Sequence, residues 1–433
     1  MTGRQKKIYA ALLTILALIL LFELIRNSGR DGDFAGYVNA GSLLLKGQNI
    51  YSDPYNTWPP FFSIFSVILT LGNKLSYFFI RFIWIFGSMV AMFIVIRLTY
   101  KMTFDKLPGL SLFNAGNKKK ITIMEPLVLV PLLFIFRFLL DNFDNVQINI
   151  YMLLLAFLSL YYFIRNKPVL AALILAFSIS LKVYTIFLLF YFLFKREFKM
   201  VLWTTLFILL INSVSFLVFG FHKAIEYYSY WYTQIASPPP TIQHKNQSLF
   251  GMMLRFFTGA NPGRDFYVNV LSLNAANVKK YTYMLILLVS VYPAFLLRKK
   301  LTSRSSIKAL LEYSFILTAI PLITPLAWKP YFVFLWYAYV LLFAFLFKSE
   351  NTLNKRLLSV LKFFYFFSVF LNVFSSEIFV GRYISDIMET YSCISFGALI
   401  LVIIQLVIYQ NLHKFDLQAL KSQETDIRNF RNF

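Results

Sequence analysis

Residues 168–196 read PVLAALILAFSISLKVYTIFLLFYFLFKR. The run is too long for one bilayer crossing, and one charge, Lys182, sits in its middle. Read as a single helix, it leaves an ammonium in hydrocarbon, where charge is costly. Read as two helices, about 168–181 and 183–195, it puts Lys182 at a joint. Halves of about 14 and 13 residues reach only about 20 Å at 1.5 Å per residue, short of a core of about 30 Å. The choice decides the parity of every later span, and therefore which loops share a side.

Working outward, further apolar runs of spanning length lie near 8–25, 77–99, 122–140, 146–165, 199–220, 280–297, 309–327, 330–348, 357–376 and 388–410. Residues 59–73 are apolar but short. Lys and Arg collect in the cytoplasmic loops of membrane proteins. The clusters Lys118-Lys119-Lys120, Lys195-Arg196, Arg298-Lys299-Lys300 and Lys355-Arg356 share the side of Arg4, Lys6 and Lys7 under two conditions. Residues 59–73 must not cross fully, and 168–195 must split at Lys182. The expected fold class is therefore an all-α polytopic membrane protein with about 12 spans and both termini cytoplasmic. It forms one membrane-embedded domain over 1–410, with outer loops at about 27–76 and 221–279 and a polar cytoplasmic tail at 411–433.

Composition agrees. The 433 residues are 59% hydrophobic and only 14% charged, where a soluble domain carries about 25% charged residues. A soluble enzyme, a disordered chain and a disulfide scaffold are excluded. The net charge of +23 would suggest nucleic acid in a soluble protein. Mapped onto this topology, roughly +19 lies inside and +4 outside, so it is an orientation signal and no nucleic acid is expected. Cys393 is the one cysteine, and His222, His244 and His413 are far apart. No disulfide and no His or Cys metal spacing is present; no cofactor is expected, with a metal at Asp31 and Asp33 left open.

Polar groups in hydrocarbon are costly and tend to be functional. The outer set comprises Asp31, Asp33, Tyr37, Tyr51 and Trp58 in the first loop, then Asp141, Asn142, Asp144, Gln147 and Asn149. Lys182 follows, then His244, Asn246, Gln247, Ser248 and Arg255, then Trp328 and Lys329. These five turns could converge on one cavity. Asp33 fits a general base that takes a proton from an attacking hydroxyl, with Asp31 as a supporting loop residue. A recessed Lys182 wants an anion, and a lipid phosphate lies at about that depth. Snorkelling from a helix end is its other reading. Arg255 could fork onto phosphate oxygens, or belong to an ordinary solvated loop. Asn246-Gln247-Ser248 also fits the N-glycosylation pattern, relevant only in a eukaryotic secretory pathway.

Asp33-Phe34, Tyr37, Gly47, Tyr51 and Trp58-Pro59-Pro60 resemble the first outer loop of glycosyltransferase family 87, membrane enzymes of the GT-C fold. Gln147-Ile148-Asn149, Ser180-Leu181-Lys182, Asn246-Gln247-Ser248 with Arg255, and Thr324-Pro325-Leu326-Ala327-Trp328 also resemble that family's motifs. The resemblance runs from about 8 to 345. There are departures: the family's Gly before Gln-x-Asn is Val146, its Pro after the Lys is Val183, and its His after the Trp is replaced by Lys329-Pro330-Tyr331. The resemblance implies transfer of a hexose, with mannose favoured, from a polyprenyl-phosphate carrier to a lipid- or glycan-linked hydroxyl on the outer face, with inversion. It implies Asp33 as base, Lys182 and Arg255 at the donor phosphate, and a cell-envelope role in a bacterial inner membrane with the site on the periplasmic or extracellular side. A flippase, or a polymerase or ligase of lipid-linked glycans, is the alternative.

Overall fold

The computed structural model describes residues 3–105, 107–109, 120–122 and 126–415. Lys118, Lys119 and the tail beyond Phe415 lie outside the described residues. Apart from a pair of three-residue parallel strands, β1 (Leu107–Gly109) and β2 (Lys120–Thr122), the regular structure is helical. In chain order the helices begin with α1 (Gly3–Ser28), α2 (Gly32–Leu45), α3 (Pro60–Leu75), α4 (Tyr77–Phe104) and α5 (Pro126–Asp144). They continue with α6 (Asn149–Ile164), α7 (Pro168–Leu181), α8 (Ile186–Phe194), α9 (Phe198–Phe219), α10 (Phe221–Tyr230) and α11 (Leu249–Phe257). The last six are α12 (Ala275–Leu297), α13 (Ile307–Ile323), α14 (Trp336–Phe347), α15 (Lys355–Val369), α16 (Glu377–Thr390) and α17 (Cys393–Gln410). Among the described residues, seven helical stretches are long and apolar enough to cross a membrane: Tyr77–Phe104, Pro126–Asp144, Phe198–Phe219, Ala275–Leu297, Lys329–Phe347, Lys355–Phe374 and Cys393–Gln410. Pro60–Leu75, Asn149–Ile164, Pro168–Leu181 and Val183–Phe194 are apolar but shorter. This is a polytopic helical membrane protein.

The long apolar run does break at Lys182. Its backbone is extended (φ −149°, ψ 111°), a single 3-10 turn follows over Val183–Thr185, and α8 then begins. Ser178 Oγ and Thr185 Oγ1 bridge the break at 3.1 Å, and Asn212 Nδ2 donates to Ser180 Oγ at 2.9 Å. Hydroxyls therefore satisfy one another where the helical ladder is interrupted, as an apolar surrounding requires.

The chain divides into two compact units, residues 1–95 with 138–239, and residues 96–137 with 240–433. In the first, α2 packs on α3, and α7 packs between α6 and α9. Gly41 makes the α2–α3 contact possible, since a Cβ there would lie 2.5 Å from the Ser66 carbonyl oxygen. Phe34, Tyr37, Trp58, Phe62 and Trp84 form a buried aromatic cluster beneath α2, with Tyr37 4.9 Å from Trp58 and 5.2 Å from Phe62 between ring centres. In the second unit, α14 is central, and every side chain from Trp336 to Leu346 is buried. Its polar atoms are matched: Trp336 donates to Thr99 Oγ1 at 2.8 Å, and Tyr339 O accepts from Tyr365 at 2.9 Å. Much of the apolar surface of α9 and α12 is exposed, including Leu202, Leu209, Leu217, Leu287 and Leu288. Patches of that extent are the mark of a surface built for lipid.

Candidate active site

In the first unit, the turn after α1 sets the geometry. Gly32 has φ 48°, and a Cβ on it would lie 2.5 Å from the Asn145 carbonyl oxygen. Only glycine takes that conformation at that separation. The close approach lets Asp33 N–H donate to Asn145 O at 2.9 Å, so the start of α2 is tied to the turn between α5 and α6. From that turn, Gln147 Nε2 donates to Asp33 Oδ2. Asn149 Nδ2 donates to Gln147 Oε1 at 2.9 Å. Asn149 Oδ1 accepts from Lys182 Nζ at 3.0 Å and from Tyr184 OH at 3.1 Å. Four of the expected residues thus form one relay, Lys182–Asn149–Gln147–Asp33, with every donor directed toward the carboxylate. Gln147 and Asn149 are buried, and Asp33 and Lys182 are half-buried. Burial raises the Asp33 carboxyl above the usual carboxylate range, while the Lys182 charge and the Gln147 hydrogen bond pull it back. A carboxylate so placed is a stronger base than one in water and is held ready by oriented amides.

Val146, where the resemblance leads to glycine, has φ 47° and is fully buried. A left-handed β-branched residue is strained by about 1–2 kcal/mol. Val146→Gly is therefore expected to be more stable than Val146→Ala by about 1 kcal/mol, the reverse of the ordinary order in regular structure. Paired thermal melts in detergent check this.

The remaining first-unit residues support the relay. Asp31 Oδ1 accepts from Tyr77 OH at 2.9 Å and from Arg81 Nη2 at 3.2 Å. The buried Arg81 guanidinium also donates to Arg30 O and Asn73 Oδ1 and stacks on Tyr77. Tyr37 and Trp58 lie in the aromatic cluster, and Tyr51 donates to Trp58 O at 2.9 Å while stacking on Tyr230. These three rings pack the α2–α3 connection. Arg81 lies in the apolar run at 77–99 and was not among the expected residues. A charge inside such a run, shared only with Arg97, was the signal.

In the second unit, Asn246, Gln247, Ser248 and Arg255 come together, but around backbone. Asn246 Nδ2 donates to Thr241 O and Pro325 O, and its Oδ1 accepts from Ser248 N and Ala327 N. Gln247 Nε2 donates to Glu389 O at 2.7 Å, and Ser248 Oγ to Pro325 O at 2.9 Å while capping α11. Arg255 donates from Nε to Thr390 O, from Nη1 to Gln243 O and Asn246 O, and from Nη2 to Ser392 Oγ, all within 3.0 Å. Its guanidinium, 2% exposed, is engaged by the chain itself. The Asn-Gln-Ser loop, the Thr324–Ala327 turn and the end of α16 are thus one knot. Trp328 is half-buried at the edge of that turn.

Beside the knot lies a buried ionic cluster. Glu389 Oε1 meets Arg137 Nη2 at 2.7 Å and Lys329 Nζ at 3.0 Å. Asp386 meets Arg264 at 2.5 Å and His244 at 3.3 Å. Sequence reasoning missed Arg137, Asp386 and Glu389 because they sit inside or at the edge of apolar runs.

The fold and its two polar centres define an integral membrane protein with a carboxylate, an ammonium and oriented amides gathered at helix ends. The family model for glycosyltransferase family 87 matches residues 56–318, and the chain belongs to that family. It is a membrane glycosyltransferase, and the flippase reading gives way. The matched stretch contains Trp58, Gln147, Asn149, Lys182, Asn246, Gln247, Ser248 and Arg255; Asp31, Asp33, Tyr37, Tyr51, Trp328 and Lys329 lie outside it. No curated protein and no solved structure matches the chain.

Proposed function

We propose that this enzyme, with a GT-C architecture of about 12 spans, moves a hexose, mannose by preference, from a polyprenyl-phosphate to a lipid- or glycan-linked hydroxyl. Transfer occurs on the outer face of a bacterial inner membrane. The observation that carries the reading is the relay joining Asp33 to Lys182 through Gln147 and Asn149. Asp33 accepts the acceptor hydroxyl's proton as that oxygen bonds to the anomeric carbon. The bond from that carbon to the phosphate oxygen breaks on the opposite face, and the configuration inverts. Lys182 offsets the charge that develops on the departing monophosphate. A monophosphate met by a fixed cation gives this step no requirement for a metal. Arg255 braces the loop that surrounds the knot in the second unit rather than meeting phosphate.

Incubating the purified enzyme with labelled polyprenyl-phosphate-mannose and a lipid-glycan acceptor extract tests the transfer. The absence of an acceptor-dependent product would reject the donor class. Sidedness is tested by impermeant thiol labelling of whole cells in a Cys393→Ser background. Tyr55→Cys, at an exposed position between α2 and α3, is expected to label, and Lys299→Cys only after lysis. The opposite pattern would invert the topology and move the transfer to the cytoplasmic face.

A further inference from the structure

The buried cluster of the second unit contains a local conflict. His244 Nδ1 lies 3.2 Å from Pro262 O. A carbonyl oxygen can only accept, so Nδ1 carries a proton, and in the neutral ring Nε2 then carries the lone pair. That lone pair faces Asp386 Oδ1 at 3.3 Å, and neither atom can donate to the other. Glu389 Oε2 is buried without a hydrogen-bond partner, as is His244 Nε2. One ligand atom from each of His244, Asp386 and Glu389 lies within 4.8 Å of the other two, and the three residues are at most 6% exposed. Two buried, unpartnered acceptors within metal-ligand reach of Asp386 make a site that suits a cation.

We propose that His244 Nε2, Asp386 and Glu389 hold one divalent transition-metal ion of the zinc or manganese class, which fastens α16 to the loop carrying Asn246-Gln247-Ser248. An imidazole with two carboxylates is a ligand set for such ions. Ligands at about 2.0–2.2 Å around a tetrahedral ion stand roughly 3.3–3.6 Å apart, and the His244–Asp386 separation of 3.3 Å lies in that range. The surroundings are those of a metal site's outer shell. Pro262 O fixes the imidazole tautomer, Arg264 holds Asp386 Oδ2, and Arg137 and Lys329 hold Glu389 Oε1. The inner atoms are thereby left to the ion. The role is structural, apart from the chemistry at Asp33.

The test uses tag-free full-length protein in detergent, stripped with a chelator and reloaded with Zn²⁺ or Mn²⁺. The site predicts about one tightly held equivalent per chain, a lower unfolding temperature after stripping, and recovery on reloading. Co²⁺ loading is expected to give visible d–d bands in the wild type. In His244→Gln these bands disappear and affinity falls at least about 100-fold, beyond what losing an outer contact produces. Substoichiometric metal with identical melts for stripped and reloaded wild type would overturn the proposal and leave an ion-pair cluster only. That arm needs no variant to fold.

Discussion

An Asp33→Asn enzyme is expected to transfer sugar about 10³-fold more slowly than wild type, within the range of about 10²–10⁴ that a positioned base supplies. The asparagine keeps the size and the backbone bond to Asn145, so donor affinity and unfolding temperature stay near wild type. The pH profile carries the stronger test. A base works only when deprotonated, so activity falls as pH falls through the Asp33 pKa. Burial displaces that acid limb upward from the usual carboxylate range. The Lys182 charge holds it down, so Lys182→Met is expected to move the limb to higher pH in addition to slowing transfer. A profile unchanged by Lys182→Met, or an Asp33→Asn enzyme as fast as wild type, would remove Asp33 from the chemistry.

The second large effect is on stability. Arg255→Met takes a donor from the carbonyls of Asn246 and Thr390, both in buried residues, and from that of Gln243, which keeps the Asn246 N–H. Each such loss costs about 1–3 kcal/mol, and the sum here is expected near 3–5 kcal/mol after relaxation. The readout separates two roles for one residue. A brace fails by lowering the unfolding temperature and the yield of folded protein, with the donor KM of the surviving fraction little changed. A phosphate ligand fails by raising KM at unchanged stability. The hydrogen bonds favour the first outcome. Lysine at this position restores little, because one ammonium cannot reproduce a planar fork that serves four acceptors.

Much of the fold was legible because a bilayer makes apolar runs long and sorts charge by side. Each apolar window contains helix, and the break at Lys182 followed from the cost of an ammonium in hydrocarbon. Asp33, Gln147, Asn149 and Lys182 were legible as residues but not as a chain of amides, because their contact depends on a left-handed Gly32 and the turn at Val146. Long-range approach of that kind leaves no periodic trace. Arg255 and the Asn-Gln-Ser loop looked like ligand chemistry because the residue types that grip phosphate also grip backbone carbonyls. Arg81 and Arg137 were hidden in apolar stretches, and Asp386 and Glu389 at the edge of one, where they meet partners from distant segments.

The buried Asn246-Gln247-Ser248 segment bears on how the protein is produced. In a eukaryotic host the three residues spell a sugar-acceptor signal, yet Asn246 is 0% exposed and its Nδ2 is bonded to Thr241 O and Pro325 O. An oligosaccharide could reach that nitrogen only before the loop closed. Once attached, it would replace one of the two Nδ2 hydrogens that close the loop. A bacterial host without that modification leaves the segment free to fold, and recombinant material from yeast or insect cells would need Asn246 checked for an attached glycan.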